Sequence, residues 1–178
     1  MKNNPRRATI ILSFTCALVS PYAHSTVGQP GTLDATWASS SPLGAGKVIT
    51  PIGSSNDFAY ATTLQPDGKV LVAGFCFNAT NYDFCAARFL PNGTLDASWN
   101  GTGTVVTPIG GSADVATALT LQPDGKVLLA GFCSNGTNYD FCAARFLPNG
   151  TLDTTWNGSG TVIAPIGGGA DVAAAMTL

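Results

Sequence analysis

Outside its first 25 residues, the chain carries its apolar residues in short runs, each closed by a turn signal. "TVVTPI" (Thr104 to Ile109) runs into a Gly-rich turn, and "DVATALTLQ" (Asp114 to Gln122) ends in "PDG", a hairpin signal. "KVLLAGFC" (Lys126 to Cys133) passes through "SNGTNY" into "DFCAARFL" (Asp140 to Leu147), and "PNG" follows. No run sustains a 3.6-residue period, so the pattern predicts strands and an all-β fold. "KVLLAGF" is apolar at consecutive positions, as expected of a strand covered on both faces.

The pattern is written more than once. "LQPDGKVL" begins at Leu64 and Leu121, "FLPNGTLD" at Phe89 and Phe146, and "TPIG" at Thr50 and Thr107, each pair 57 residues apart. An earlier "GTLDATW" (Gly31 to Trp37) is set off by the longer loop "ASSSPLGAG", the kind of insertion repeat arrays tolerate. Each unit reads as four antiparallel strands, beginning with the "TVVTPI" type and ending with the "DFCAARFL" type. Such a sheet, repeated and packed face to face, is propeller-blade-like. The boundaries expected are a signal peptide at 1–25, units at 26–90 and 91–147, and a partial third unit at 148–178.

"LQPDGKVLVAGF" followed by "YDFCAARFLPNGTLDASW" resembles the delta-60 repeat family, propeller-like modules that stand in tandem in exported bacterial proteins. The likeness covers most of residues 30–178. It departs from the family pattern in its hairpin cysteines and in Trp where Phe is commoner. The resemblance implies a propeller-like fold and export, and it implies no catalytic residues.

Composition narrows the partners. All ten acidic side chains are Asp, against eight Lys and Arg, three of which (Lys2, Arg6, Arg7) stand in the first seven positions. The remaining chain is acidic and has no basic stripe, so nucleic acid is not an expected partner. Those three cations precede the apolar "ATIILSFTCALVS" (Ala8 to Ser20) and the small residues of "AHS" (Ala23 to Ser25), the signature of a cleaved secretory signal. The apolar stretch is shorter than a membrane span needs. The expectation is a mature product beginning at Thr26, secreted, periplasmic or on the cell surface, with no membrane association after cleavage.

In that compartment the spacing Cys-x8-Cys, at Cys76/Cys85 and Cys133/Cys142, reads as one disulfide per hairpin. The register expected with it sets Cys76 opposite Cys85, Gly74 opposite Ala87 and Val72 opposite Phe89. The weaker rival, thiolate metal binding, lacks tight spacing and a His partner. No cofactor or metal site is expected.

The carboxylates recur in register: Asp57/Asp114/Asp171, Asp67/Asp124, Asp83/Asp140 and Asp34/Asp96/Asp153. Turn roles suit Asp67 and Asp124, and Asx-type caps suit the "TLD" aspartates. Calcium at "DASWNGTG" (Asp96 to Gly103) is the lesser alternative, because its spacing misses the usual calcium loop. Arg88 and Arg145 sit mid-strand among apolar residues, so each is expected to pair with an Asp of its own or the next unit, such as Asp114, in preference to holding a ligand. Trp37, Trp99 and Trp156 recur with the linker and read as plugs between blades, with sugar-stacking platforms as the alternative. The single histidine, His24, lies in the leader, and the chain has no Glu, so the commonest general bases are missing from the mature part. An active site sets unlike groups in unlike roles, whereas these charges repeat in step. The expected function is therefore a structural or binding one, with an unknown protein or glycan as ligand and with self-association or a longer parent chain. The alternative is a calcium-dependent propeller hydrolase resembling a lactonase.

Overall fold

The computed structural model describes residues 32–177. The expected signal peptide, with Cys16 and His24, lies outside the described residues. Eight strands form two antiparallel four-stranded sheets. The first contains β1 (Asp57–Leu64), β2 (Val70–Phe77), β3 (Tyr82–Phe89) and β4 (Thr104–Thr107); the second contains β5 (Asp114–Leu121), β6 (Val127–Ser134), β7 (Tyr139–Phe146) and β8 (Thr161–Ala164). In each sheet the spatial order follows the sequence order. The described residues contain no helix, and the all-β, propeller-blade-like reading holds.

The sheets are phased differently from the sequence repeat. "TVVT" does not open the sheet that follows it; as β4 it pairs with β3 of the sheet before, with Cys85 opposite Val106. The Trp99 turn causes this. Gly103 N donates to Trp99 O at 2.7 Å and Arg88 N to Gly103 O at 2.9 Å, so the chain reverses beside β3. Two segments that copy strands elsewhere take no strand pairing. Residues 47–50 copy β4 and residues 171–177 copy the first seven positions of β5, but neither has a neighbour of the right type among the described residues. A strand needs its partner's ladder to satisfy its backbone.

The hairpin register is two residues away from the one expected from sequence. Cys76 faces Asp83, Gly74 faces Cys85 and Val72 faces Ala87. Asn78 sets this register: its side-chain oxygen accepts from Thr80 N at 2.8 Å and Asn81 N at 3.0 Å, and its own N–H donates to Asn81 O at 2.9 Å. The loop is thereby held to residues 78–81, with Phe77 opposite Tyr82. Because a two-residue slip preserves the face each side chain occupies, both cysteines still point the same way. The Cys76–Cys85 and Cys133–Cys142 disulfides form diagonally, with Cα atoms 5.8 Å apart in each. Closing so short a loop contributes about 2.5 kcal/mol in the chain-entropy model. Reduction should therefore lower the thermal midpoint, and a Cys133→Ser/Cys142→Ser variant should melt lower without reductant; equal midpoints by circular dichroism would count against this.

Packing sets one sheet on the other. Leu71, Ala73, Phe84, Ala86 and Val105 of the first sheet meet Val127, Leu129, Ala144 and Phe146 of the second, with Trp99 between them, all buried. β2 also buries Gly74 and Cys76 on its opposite face, which accounts for its continuous apolar run. Gly74 is required where β1 bulges: a Cβ there would stand 1.9 Å from Phe58 O, and Gly131 meets Val115 O in the same way.

Candidate functional site

Each unit carries one arginine, one aspartate and one tryptophan that the fold draws together. Arg88 leaves β3 on the face toward the second sheet, and its Nε donates to Asp96 Oδ2 at 2.9 Å. Asp96 is the partner, and not Asp114, because the linker hydrogen bond from Asp96 N to Arg88 O brings "TLD" back alongside β3. The other oxygen, Asp96 Oδ1, accepts from Ser98 N at 3.1 Å and from the Ser98 hydroxyl, which is the Asx cap expected. Both carboxylate oxygens of Asp96, in the loop considered for calcium, are thus engaged. Burial works to raise the Asp96 pKa, but the Ser98 hydrogen bonds and the Arg88 charge outweigh it and the net shift is downward. The guanidinium lies 5.7 Å from the Trp99 ring centroid, and Arg145 lies 5.3 Å from Trp156 in the same arrangement.

The two copies differ in what lies beyond them. Arg88 Nη1 donates to Pro148 O at 3.0 Å and Asn100 N to Asn149 O at 2.6 Å, both across the seam to the second sheet's Pro-Asn-Gly turn. Gly150 of that turn has φ 89°, and a Cβ on it would stand 2.8 Å from the Trp99 ring. Trp37 docks likewise on the first sheet's turn, where Ala38 N donates to Asn92 O at 2.7 Å. Arg145 and Trp156 have no such turn to dock on among the described residues. Trp99 is fully buried while Trp37 and Trp156 are half-buried, so the plug reading describes the tryptophan that has both neighbours.

The remaining aspartates serve the backbone. Asp114 Oδ2 accepts from Ile109 N at 2.7 Å and Gly110 N at 2.9 Å, and Asp57 and Asp171 cap the equivalent turns. Asp67 and Asp124 each hold the turn amide and the ammonium of Lys69 or Lys126. Asp83 and Asp140 accept from Asn78 and Asn135 at the hairpin tips. One oxygen each of Asp83, Asp114 and Asp140 is buried without a hydrogen bond. Burial pushes the pKa of Asp83 and Asp114 above the ordinary 3.8.

A raised pKa means that the charged form is penalised in the folded state, so acidification from neutral through that pKa stabilises until the ordinary carboxyl value is reached. Asp96 is shifted the opposite way, as is Asp153 through its hydrogen bond from Thr155, and their contributions disappear as pH falls below that value. The thermal midpoint should peak on the acid side of neutral, above 3.8. An Asp83→Asn/Asp114→Asn variant should flatten the limb between the peak and neutral pH; an unchanged limb in a pH series of melts would contradict the assignment.

One feature breaks the repeat and was missed in the sequence. Phe58, Tyr60, Phe75, Phe77 and Tyr82 form one cluster on the first sheet, with Phe75 as hub: it stacks on Phe58 at 4.8 Å, meets Tyr60 at 5.6 Å and takes the edge of Tyr82 at 5.0 Å between centroids. In the second sheet the counterparts are Val115, Thr117, Phe132, Ser134 and Tyr139, and only the Phe132–Tyr139 contact survives. Subtracting one unit from the other residue by residue would have exposed the difference. On the first sheet's outward face, a cavity of about 390 Å³ lies between Trp37, Val48 and Ile52 on one side and Val70, Val72 and Phe89 on the other.

Residues 65–98 and 122–155 match the family described as a domain of unknown function (DUF5122) beta-propeller. Each match takes in the central β2–β3 or β6–β7 hairpin, with its arginine, and the aspartate after it that pairs with that arginine. No curated protein matches the chain.

Proposed function

We propose, from this likeness to beta-propellers of unknown function, that the chain is an exported repeat module of the delta-60 type that acts as a structural or binding element and extends by stacking blade on blade. One observation carries the reading. Leu128, Ala130, Phe141, Ala143 and Val162 stand half-buried on the second sheet's far face, and they are the counterparts of Leu71, Ala73, Phe84, Ala86 and Val105, which are buried against a neighbour. A face built for a seam calls for a seam partner, supplied by further copies or by more of the same repeat. The disulfides suit an oxidising compartment and support export.

Light scattering tests the stacking. Species larger than a monomer are expected, and Phe141→Asp should dissociate them; a well-behaved monomer overturns this part of the reading. Intact mass of exported protein should begin at Thr26, and a retained leader would refute the export route. The hydrolase alternative is tested by assays on lactones, phosphoesters and glycosides with and without calcium. Turnover lost on substitution of a single Asp in a folded variant would replace the binding role with an enzymatic one.

A further inference from the structure

We infer that the aromatic cluster centred on Phe75 is a binding platform for a neutral, β-linked polysaccharide. The inference rests on the binding reading above and assigns that role a surface and a ligand class. Tyr60 is 60% exposed and Phe58 45%, although both belong to a five-ring cluster that would be expected to hide its apolar area. The cluster stands on the face that carries Leu71, Ala73 and Phe84, at the rim of the seam, because Phe75 pairs with Phe84 and Phe58 with Phe75; the second sheet makes the same strands and the same bulge with Val115 and Thr117 at the positions of Phe58 and Tyr60. The strands and the bulge therefore do not need aromatic rings at these two positions, and the rings of Phe58 and Tyr60 reach solvent beyond the seam.

Size and charge select the ligand. Two half-exposed rings offer on the order of 200 Å², well short of the roughly 800 Å² per partner that a stable protein interface buries. One or two pyranose rings need no more than that. A β-linked glucan presents a flat face of axial C–H groups that stacks on an aromatic ring, and its equatorial hydroxyls point sideways to polar neighbours. Those neighbours are uncharged here: Ser55 and Asn56 precede β1, and Thr80 and Asn81 stand at the hairpin tip beside Tyr82. The adjacent carboxylates are turned to other work, Asp57 capping the amides of Ile52 and Gly53 and Asp83 bound by Asn78. A charged polymer finds no counter-charge in the cluster, whereas a neutral one loses nothing by that.

Native affinity electrophoresis of the full chain tests this, with hydroxyethylcellulose, laminarin, xylan or galactomannan cast in the gel and with alginate and heparin as charged controls. Retardation is expected in at least one of the neutral β-linked polymers. Tyr60→Ala and Phe58→Ala should each weaken it roughly tenfold, as loss of one stacking ring would, with unchanged melting. Tyr139→Ala, on the second sheet, should leave it unaltered. No retardation by any neutral polymer overturns the proposal, as does retardation that survives both ring substitutions or appears only with the charged controls. If Tyr60→Ala instead changes the mass seen by light scattering, the patch is a protein contact and the glycan assignment fails. The stacking reading stands or falls separately on Phe141.

Discussion

Trp99→Ala is expected to destabilise the chain by about 3–5 kcal/mol, the range for deleting a large buried aromatic, while Trp156→Ala costs clearly less. The residues are counterparts, so the difference isolates the seam. Trp99 is fully buried, lies 6.4 Å from Phe146 between centroids and is backed by Gly150. Removing the indole leaves a void against both sheets, which are held apart by the strands they belong to and collapse only partly. Trp99 Nε1 has no hydrogen-bond partner, so Trp99→Phe gives up less than its area suggests, because it also removes a buried polar group that is unsatisfied. Urea titrations followed by circular dichroism provide the comparison. Equal losses at Trp99 and Trp156 would mean that the seam is not where the tryptophan acts.

Asp96→Ala should cost about 3–5 kcal/mol, as removal of one member of a buried ion pair does. The Arg88 side chain is only 9% exposed, so without its carboxylate the guanidinium keeps Pro148 O and the Ser98 hydroxyl and loses its counter-charge. Asp153→Ala should be milder, because the Arg145 side chain is 20% exposed and reaches water. Arg88→Met/Asp96→Leu should be less damaging than Asp96→Ala alone, since it takes away the stranded charge together with its partner. A double-mutant cycle measures this coupling. A double variant as unstable as the two single losses added together would show that Arg88 and Asp96 act independently.

Much of the architecture was legible in the residues. Turn chemistry at "PDG" and "PNG", apolar runs too short and unperiodic for helices, and the 57-residue repeat led to antiparallel four-stranded units. The cysteine spacing led to the right disulfides even though the register inferred with it was two residues off. Pairing of side chains tolerates an even slip because the face is kept, whereas the ladder itself is decided by the loop that closes it. Arg88 and Arg145 were recognisable as charges in need of compensation, but the choice of Asp96 and Asp153 depended on where the linker returns to the strand.

The sequence by itself determined the all-β class, the repeat, the cysteine pairs and the groups that must be paired, because these follow from local propensity and from the cost of burying charge. Tertiary structure alone decided which sheet takes "TVVT", why "KVIT" and "DVAAAMT" form no strand despite their likeness to β4 and β5, and why Trp99 is buried when Trp37 and Trp156 are only half so. Equivalent residues carry equivalent propensities, but a ladder or a seam exists only where a second surface is in place. The aromatic cluster belongs to this second group as well. Its residues are spread over three strands between Phe58 and Tyr82, and only the pairing of those strands brings the rings onto one surface.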